Sequence, residues 1–430
     1  MQVKTITNGA GPAPQSLDNL AEQFSDVRSF SHALCEPLVT EDYVIQTMED
    51  VSPTKWHLAH TTWFFETFVL QAFASDYRPY HPDFAYLFNS YYVQAGDRHC
   101  RPKRGLISRP TVEEVYKYRE NVDEHMRELL DDARGDEVGE IARRVAIGLN
   151  HEQQHQELIL TDIKHVLSEN PLRPVYRPAD SVAHSALPPA STWIEHEGGL
   201  RDIGYSGDGF SYDNEGPVHQ YFVEPFSYAS RLVTNREYIE FMESGGYDRT
   251  ELWLSEGWAT LERHGWKAPG YWEKVDGRWW HFTLRGFRPV GLDEPVCHVS
   301  YFEADAYARW ADARLLTEFE WEVASHDVEM EGNFVEEGHF HPVPAPGRKS
   351  VPEQLFGDVW EWTRSQYSPY PRYKPEPGAL GEYNGKFMCN QFVLRGGSVA
   401  TSRTHIRPTY RNFFQPAARW QFTGIRVARI

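Results

Sequence analysis

The segment His151-Glu152-Gln153-Gln154-His155-Gln156-Glu157 sets two imidazoles four residues apart. In a helix that spacing brings both rings to one face, where they offer a metal two adjacent coordination positions without distorting the backbone. Imidazole serves iron, zinc, copper and nickel alike. A third ligand must come from elsewhere, and His60 in Trp56-His57-Leu58-Ala59-His60-Thr61-Thr62-Trp63 is the best placed, on a second apolar stretch of helical character. Two surface or capped histidines would give the same spacing. Against that simpler reading, Ile147, Leu149, Leu158 and Ile159 make the flanks apolar, so the helix faces a core in which paired imidazoles need partners. Glu152 and Gln154, between the two rings, are candidates to support the ligands from behind.

Four helices account for the first 170 residues: about Ser16 to Leu38, Thr54 to Ala74, Val112 to Asp132 and Glu137 to Glu169. Ser52-Pro53 precedes the second, Thr111 with Glu114 three residues on predicts a capping box for the third, and Asn170-Pro171 ends the fourth. A four-helix bundle with a long loop over residues 75–110 is the simplest packing. That loop concentrates Arg98, Arg101, Lys103 and Arg104 in an otherwise acidic chain, which suits the carboxylate of a small substrate as well as it suits a solvated basic turn.

The chain has 430 residues, a size for which two domains are expected. With 40% hydrophobic and 14% aromatic residues it is globular in composition, and a formal charge of −19 argues against a nucleic-acid partner. No apolar leader opens the sequence and no run of apolar residues is long enough to span a bilayer, so a soluble, cytoplasmic protein without membrane partners is expected. Its four cysteines, Cys35, Cys100, Cys297 and Cys389, are scattered and form no CxxC, which argues for free thiols in a reducing compartment. Oligomeric state does not follow from any of these patterns.

Beyond a Pro-, Ala- and Ser-rich stretch starting at Pro171, the composition turns to Gly, aromatics and short strand-like runs such as His219 to Val223 and Arg278 to Thr283, with one clear helix at Tyr301 to Ala311. The expected fold class is therefore α+β: a bundle over 1–170, a linker over 171–194, and a mixed domain over 195–430. Five strings in that last part are distinctive: Pro295-Val296-Cys297-His298-Val299-Ser300, Arg314-Leu315-Leu316-Thr317-Glu318-Phe319-Glu320-Trp321-Glu322, Phe356-Gly357-Asp358-Val359-Trp360-Glu361-Trp362-Thr363, Leu394-Arg395-Gly396-Gly397-Ser398 and Gly424-Ile425-Arg426-Val427-Ala428. In order, they resemble the formylglycine-generating-enzyme/sulfatase-modifying domain, a variant of the C-type lectin fold. The copper-binding cysteine pair of true formylglycine-generating enzymes has no counterpart here. Joined to a DinB-like bundle carrying Leu58-Ala59-His60 and the HxxxH segment, the chain resembles over nearly its whole length the nonheme iron sulfoxide synthases of ergothioneine biosynthesis.

That resemblance implies a reaction and a site. Iron(II) would be held by His60, His151 and His155, and hercynine (Nα-trimethylhistidine) would be joined to a thiol in an O2-dependent step that yields a sulfoxide. Gln154 matches a family residue that hydrogen-bonds the substrate imidazole, and Asn412 one that helps hold the betaine. Tyr91 and Tyr92 match the paired tyrosines of a cysteine-using branch and are the candidate proton donors; alternation along an extended loop would point them in opposite directions. Phe413, Phe414 and Trp420 suit the wall of a trimethylammonium pocket. At Phe414 the members that use γ-glutamylcysteine carry an aspartate, so L-cysteine is the favoured donor, its carboxylate held by Arg101 and Arg104. The alternatives are γ-glutamylcysteine itself, an ovothiol-type 5-histidylcysteine sulfoxide synthase, whose relatives usually carry an added methyltransferase domain that this sequence lacks, and a non-catalytic lectin-like module on a metal-stabilised bundle.

Overall fold

The computed structural model describes residues 17–178, 190–347 and 352–429. Residues 1–16 of the expected first domain, including Ser16 at the start of the first expected helix, and residues 179–189 of the expected linker lie outside the described residues.

Four long helices form the first half: α1 (Leu17–Cys35), α2 (Thr54–Phe65), α3 (Val112–Asp132) and α4 (Val138–Glu169). Thr111 caps α3 as its sequence predicts, with Oγ1 accepting from the Glu114 amide at 3.2 Å and Glu114 Oε2 accepting from the Thr111 amide at 2.7 Å. One face of α3 repeats Val115, Tyr118, Val122, Met126 and Leu130 at three- and four-residue intervals, and all five are buried. All twelve residues of α2 are buried, because α2 lies between α3 and α4 and is covered on its remaining side. It runs on through a π-helical turn, Glu66–Leu70, into a last turn, Gln71–Phe73. Its cover is the 75–110 segment, expected as a loop but ordered around the short helix Phe84–Phe88 and the 3-10 turns Val93–Ala95 and Arg101–Leu106. Phe84 and Phe88 are buried, and the Trp56 indole donates to the Leu87 carbonyl at 3.1 Å, so this segment is a packed strap.

The second half is built from β1 (Trp193–His196), β2 (Gly199–Ile203), β3 (His219–Val223), β4 (Phe226–Ala229), β5 (Trp272–Val275), β6 (Arg278–Thr283), β7 (Gly286–Pro289), β8 (Ala313–Leu315), β9 (Trp360–Gln366), β10 (Phe392–Arg395), β11 (Asn412–Phe414), β12 (Thr423–Gly424) and β13 (Val427–Arg429). Two four-stranded sheets, ordered β1-β4-β13-β8 and β11-β10-β9-β12, are joined by the β2-β3 hairpin and a three-stranded β5-β6-β7 sheet. Helices α5 (Asn235–Glu243), α6 (Ser255–His264), α7 (Tyr301–Trp310) and α8 (Glu318–Ser325) pack on them, three opening with capping boxes from Thr234, Ser300 and Thr317. The distinctive strings turn out to be internal fasteners. Arg395 pairs with Glu318 and Glu322, Arg411 with Glu318, and Arg426 with Glu361, all deeply buried. Buried charges survive only when paired and hydrogen-bonded in this way.

The halves meet along α4. Gln153 Nε2 donates to Ser402 and Thr404, and the buried carboxylate of Glu157 accepts from the Trp360 indole at 2.6 Å, Thr401 Oγ1 at 2.7 Å and Ser398 Oγ at 2.9 Å. All four cysteines are free, Cys35 and Cys297 buried and Cys100 and Cys389 exposed. Among the described residues no helix is long and apolar enough to cross a membrane.

Candidate metal centre

His60 on α2 and His151 and His155 on α4 face one another across the helix pair, with one ligand atom from each lying within 4.8 Å of the others. All three are buried. The Nε2 atoms of His60 and His151 approach to 3.2 Å. His60 is fixed by stacking between Trp56 and Trp63, at ring-centroid distances of 4.6 and 5.5 Å, and its Nδ1 bonds the Phe88 carbonyl at 2.5 Å, which directs Nε2 inward. His155 is held through its own Nδ1, 2.8 Å from Nδ1 of His57, whose Nε2 lies 3.0 Å from the Asp162 carboxylate. His151 leans on Phe64, and its Nδ1 has no partner among the described residues.

Burial keeps these rings neutral. It pulls His151 down to about 3 and holds His60 and His155 well below the usual imidazole range, with the neighbouring imidazoles adding to the effect. Three neutral imidazoles with converging Nε2 atoms and outward-facing nitrogens hydrogen-bonded on two of the three form a donor set that fits a transition-metal ion. His57 is next to this set but bridges His155 to Asp162, as expected for a residue that orients a ligand.

His151-Glu152-Gln153-Gln154-His155 also spells the His-Glu-x-x-His of zinc proteases, in which the glutamate is the general base. A supporting or basic role for Glu152 at the metal is corrected by its contacts. Its carboxylate accepts from Arg119, from Arg28 Nη1 at 2.8 Å and from Ser31 Oγ at 2.6 Å, on the side of α4 that faces α1 and α3. These pairings hold the carboxyl down at about 2 against the opposing effect of burial. Glu152 therefore locks the bundle.

Between the two halves of the chain lies a cavity of about 260 Å³ lined by Tyr91, Arg101, Gln154, Asn412, Phe413, Phe414 and Trp420 among others; no triad histidine lines it, and Tyr383 and Gln154 connect it to the triad. Gln154 donates to the Tyr410 hydroxyl, which lies 3.0 Å from His405 Nε2. Phe414 and Trp420 meet edge to face at 5.9 Å, while Phe413 stacks on Tyr367 at 4.1 Å. Arg101 reaches the cavity, with Nη2 on the Asp50 carbonyl at 2.6 Å. Arg104 does not: it is buried, donates to Ser52 and Ser90 at 3.0 Å each, and lies over the Trp56 ring at 3.3 Å. Its expected part in holding a substrate carboxylate is corrected to a brace between the strap and α2.

Tyr91 and Tyr92 do not point apart, as alternation would have them do. Their rings stack at 4.7 Å, because Tyr92 opens the turn Val93–Ala95 rather than continuing a strand. Tyr92 is fully buried and its hydroxyl has no hydrogen-bond partner among the described residues. A third phenol, Tyr383, had no signal in the sequence: it lines the cavity, its ring lies 5.7 Å from that of His151, and it packs near Tyr91 at 5.9 Å. Burial raises the pKa of all three phenols, so each keeps its proton at neutral pH.

Comparison with known proteins accords with this architecture. The DinB superfamily profile matches residues 23–159, and the sulfatase-modifying factor enzyme 1-like domain profile matches residues 180–347 and 353–430. A hercynine oxygenase of Mycolicibacterium smegmatis is 31% identical over 406 residues, covering 88% of this chain and 91% of that protein. A hercynine oxygenase of Mycolicibacterium thermoresistibile is 32% identical over 330 residues, covering 68% and 70%. A formylglycine-generating enzyme of Streptomyces coelicolor is 29% identical over 255 residues, covering 50% of this chain and 78% of that protein. A bundle and a sulfatase-modifying-factor-like domain thus occur together in relatives matched across most of their length, and the chain belongs to the hercynine oxygenase family of enzymes.

Proposed function

We propose that the protein is an iron(II)-dependent sulfoxide synthase that joins hercynine to L-cysteine in ergothioneine biosynthesis. The observation that carries this reading is the convergence of His60, His151 and His155, connected through Tyr383 and Gln154 to the cavity between the two halves. Three imidazole ligands would hold such an ion while leaving it accessible to the substrates. Bound there, iron(II) would supply the redox chemistry that dioxygen reduction requires.

The chain's own residues do the rest. Gln154 and Asn412 line the cavity where they can orient the imidazole and the carboxylate of hercynine. Its trimethylammonium carries no N–H to donate, so it gains from aromatic faces, and Phe413, Phe414 and Trp420 provide them. Arg101 lines the same cavity, has no ion pair among the described residues, and takes the cysteine carboxylate. Phe414 offers no anion to the amine of a γ-glutamyl group, which favours cysteine as the donor. The overall change balances: the imidazole C–H and the thiol S–H are lost, a C–S bond forms, one oxygen atom of O2 goes to sulfur and the other leaves as water. Protons must be delivered in this sequence, and Tyr92, Tyr91 and Tyr383 are the neutral phenols near the triad that can deliver them. Four free thiols suit a cytoplasmic setting.

The test is anaerobic loading with iron(II), followed by oxygen-electrode assay with hercynine plus cysteine or γ-glutamylcysteine. Hercynine-dependent oxygen uptake that is faster with cysteine, with a sulfoxide identified by mass and NMR, is the expected result. Absence of hercynine-dependent uptake with either thiol overturns the activity, and a preference for γ-glutamylcysteine overturns the donor.

A further inference from the structure

A second convergence of ligand-type side chains lies wholly within the lectin-like half. His281 stands on β6, its Cα opposite that of Arg288 on β7. Glu294 follows in the turn after β7, which is anchored where the Asn235 amide donates to the Glu294 carbonyl at 2.8 Å and Asn235 Nδ2 donates to the Gly291 carbonyl at 2.7 Å. His341 enters from the loop after the turn Val335–Glu337, and its carbonyl accepts from Asn333 Nδ2 at 3.0 Å. One ligand atom from each of the three lies within 4.8 Å of the others, and the residues are 5, 7 and 7% exposed respectively, so the group is sealed from bulk water.

An ion pair explains part of this cluster. Glu294 Oε2 lies 3.0 Å from His341 Nε2, and both carboxylate oxygens accept from Arg288 Nη2 at 2.8 and 3.0 Å. The pair does not explain His281. Its ring meets that of His341 edge to face at 5.0 Å, yet its Nε2 is buried and has no hydrogen-bond partner among the described residues. A buried imidazole nitrogen without a partner carries a desolvation cost, which a coordinate bond would remove. Burial and the neighbouring His341 also hold the His281 ring neutral, the form in which it can ligate.

We propose that His281, Glu294 and His341 bind a divalent transition-metal ion, zinc being the best match to two imidazoles and one carboxylate, as a structural site separate from the bundle centre. The ion would tie the β6–β7 hairpin and the turn that follows it to the 339–347 loop, which is distant in sequence. Arg288 is 35% exposed, so its guanidinium can turn toward water while the metal takes the Glu294 oxygen. With three protein ligands, a fourth donor from outside the protein would be needed to close a tetrahedral site.

Metal content of the full-length chain tests this independently of the proposed reaction. The variant His151→Ala/His155→Ala removes two bundle ligands; after Zn2+ loading and gel filtration it is expected to retain about one equivalent by elemental analysis. Zn2+ is expected to raise its Tm, and Co2+ to give a d–d absorption band. Adding Glu294→Gln, or His281→Gln as the milder change, should lower the content to about a tenth of an equivalent or less and remove the band. Less than about a tenth of an equivalent in His151→Ala/His155→Ala means that the cluster is an ion pair only. Undiminished content after the further substitution places the metal elsewhere, and either result overturns the site.

Discussion

Nδ1 of His57 lies 2.8 Å from Nδ1 of His155, and His57 passes that contact on through Nε2 to Asp162 at 3.0 Å. Coordination through His155 Nε2 requires a proton on its Nδ1, which then donates to His57, while His57 Nε2–H donates to the carboxylate. Asp162 is itself fixed by the Ser52 amide at 2.8 Å. A ligand's orientation is thus set two residues away. His57→Gln is expected to weaken metal binding about 10- to 100-fold with the fold retained, measured by competition with a chelator. Affinity equal to that of the wild type would remove this role.

Two phenols of the tyrosine cluster, Tyr92 and Tyr383, should separate in their effects. Tyr92→Phe and Tyr383→Phe are each expected to keep the metal, while the donor's loss lowers sulfoxide formation about 10²- to 10⁴-fold and diverts thiol toward simple oxidation. Product ratios by mass spectrometry measure this. The variant with the larger drop identifies the donor, and an unchanged sulfoxide yield in both would exclude these two phenols.

Phe414→Asp places a carboxylate on the cavity wall beside the aromatic Trp420. The expected outcome is a gain of about tenfold in kcat/KM for γ-glutamylcysteine relative to cysteine, equivalent to about 1.4 kcal/mol. Competition assays with both thiols present would report a ratio that does not move if Phe414 has no part in donor choice.

Metal-free protein should lose stability in acid over a defined window. The folded pKa of His151 is about 3, and those of His60 and His155 lie well below the unfolded value near 6.5. A depressed folded pKa means that the unfolded chain binds the proton first. Stability is therefore full above about pH 6.5 and falls toward pH 3, by about 1.4 kcal/mol per pH unit for each such group. Urea melts at stepped pH check the slope, which bound metal should leave unchanged while raising the whole curve. A flat profile between pH 6.5 and 4 would contradict the burial of neutral rings.

Glu152→Gln removes the carboxylate that Arg28 and Arg119 share, leaving Arg28 with Asp123 and buried Arg119 with no ion pair among the described residues. A loss of about 3–5 kcal/mol in unfolding free energy is expected, because the uncompensated Arg119 guanidinium stays in the core beside that of Arg28. A loss below about 1 kcal/mol would show that solvent reaches them.

The HxxxH face of α4 was legible because helical periodicity is local: residues four apart share a face whatever surrounds them. The capping box at Thr111, the strands His219–Val223 and Arg278–Thr283, and the start of α7 at Tyr301 were legible for the same reason. Asp162 carried a faint signal, seven residues beyond His155 on the same helix face, but only the position of His57 turns it into a support for the ligand. The role of Glu152 is not legible locally, because it adjoins His151 in sequence while its partners in space are Arg28 and Arg119.

Residue type and short-range spacing determined which side chains could act, namely the paired imidazoles, the aromatic Phe413-Phe414 run and the arginines of the 75–110 segment. Tertiary structure decided which of them meet. It drew Tyr383 to His151 across more than two hundred residues, sent Arg101 to the cavity and Arg104 to Trp56, and stacked Tyr91 on Tyr92. The physical reason is that periodicity orients a side chain within its own element, whereas the partner it meets depends on close packing between elements, which no local pattern encodes.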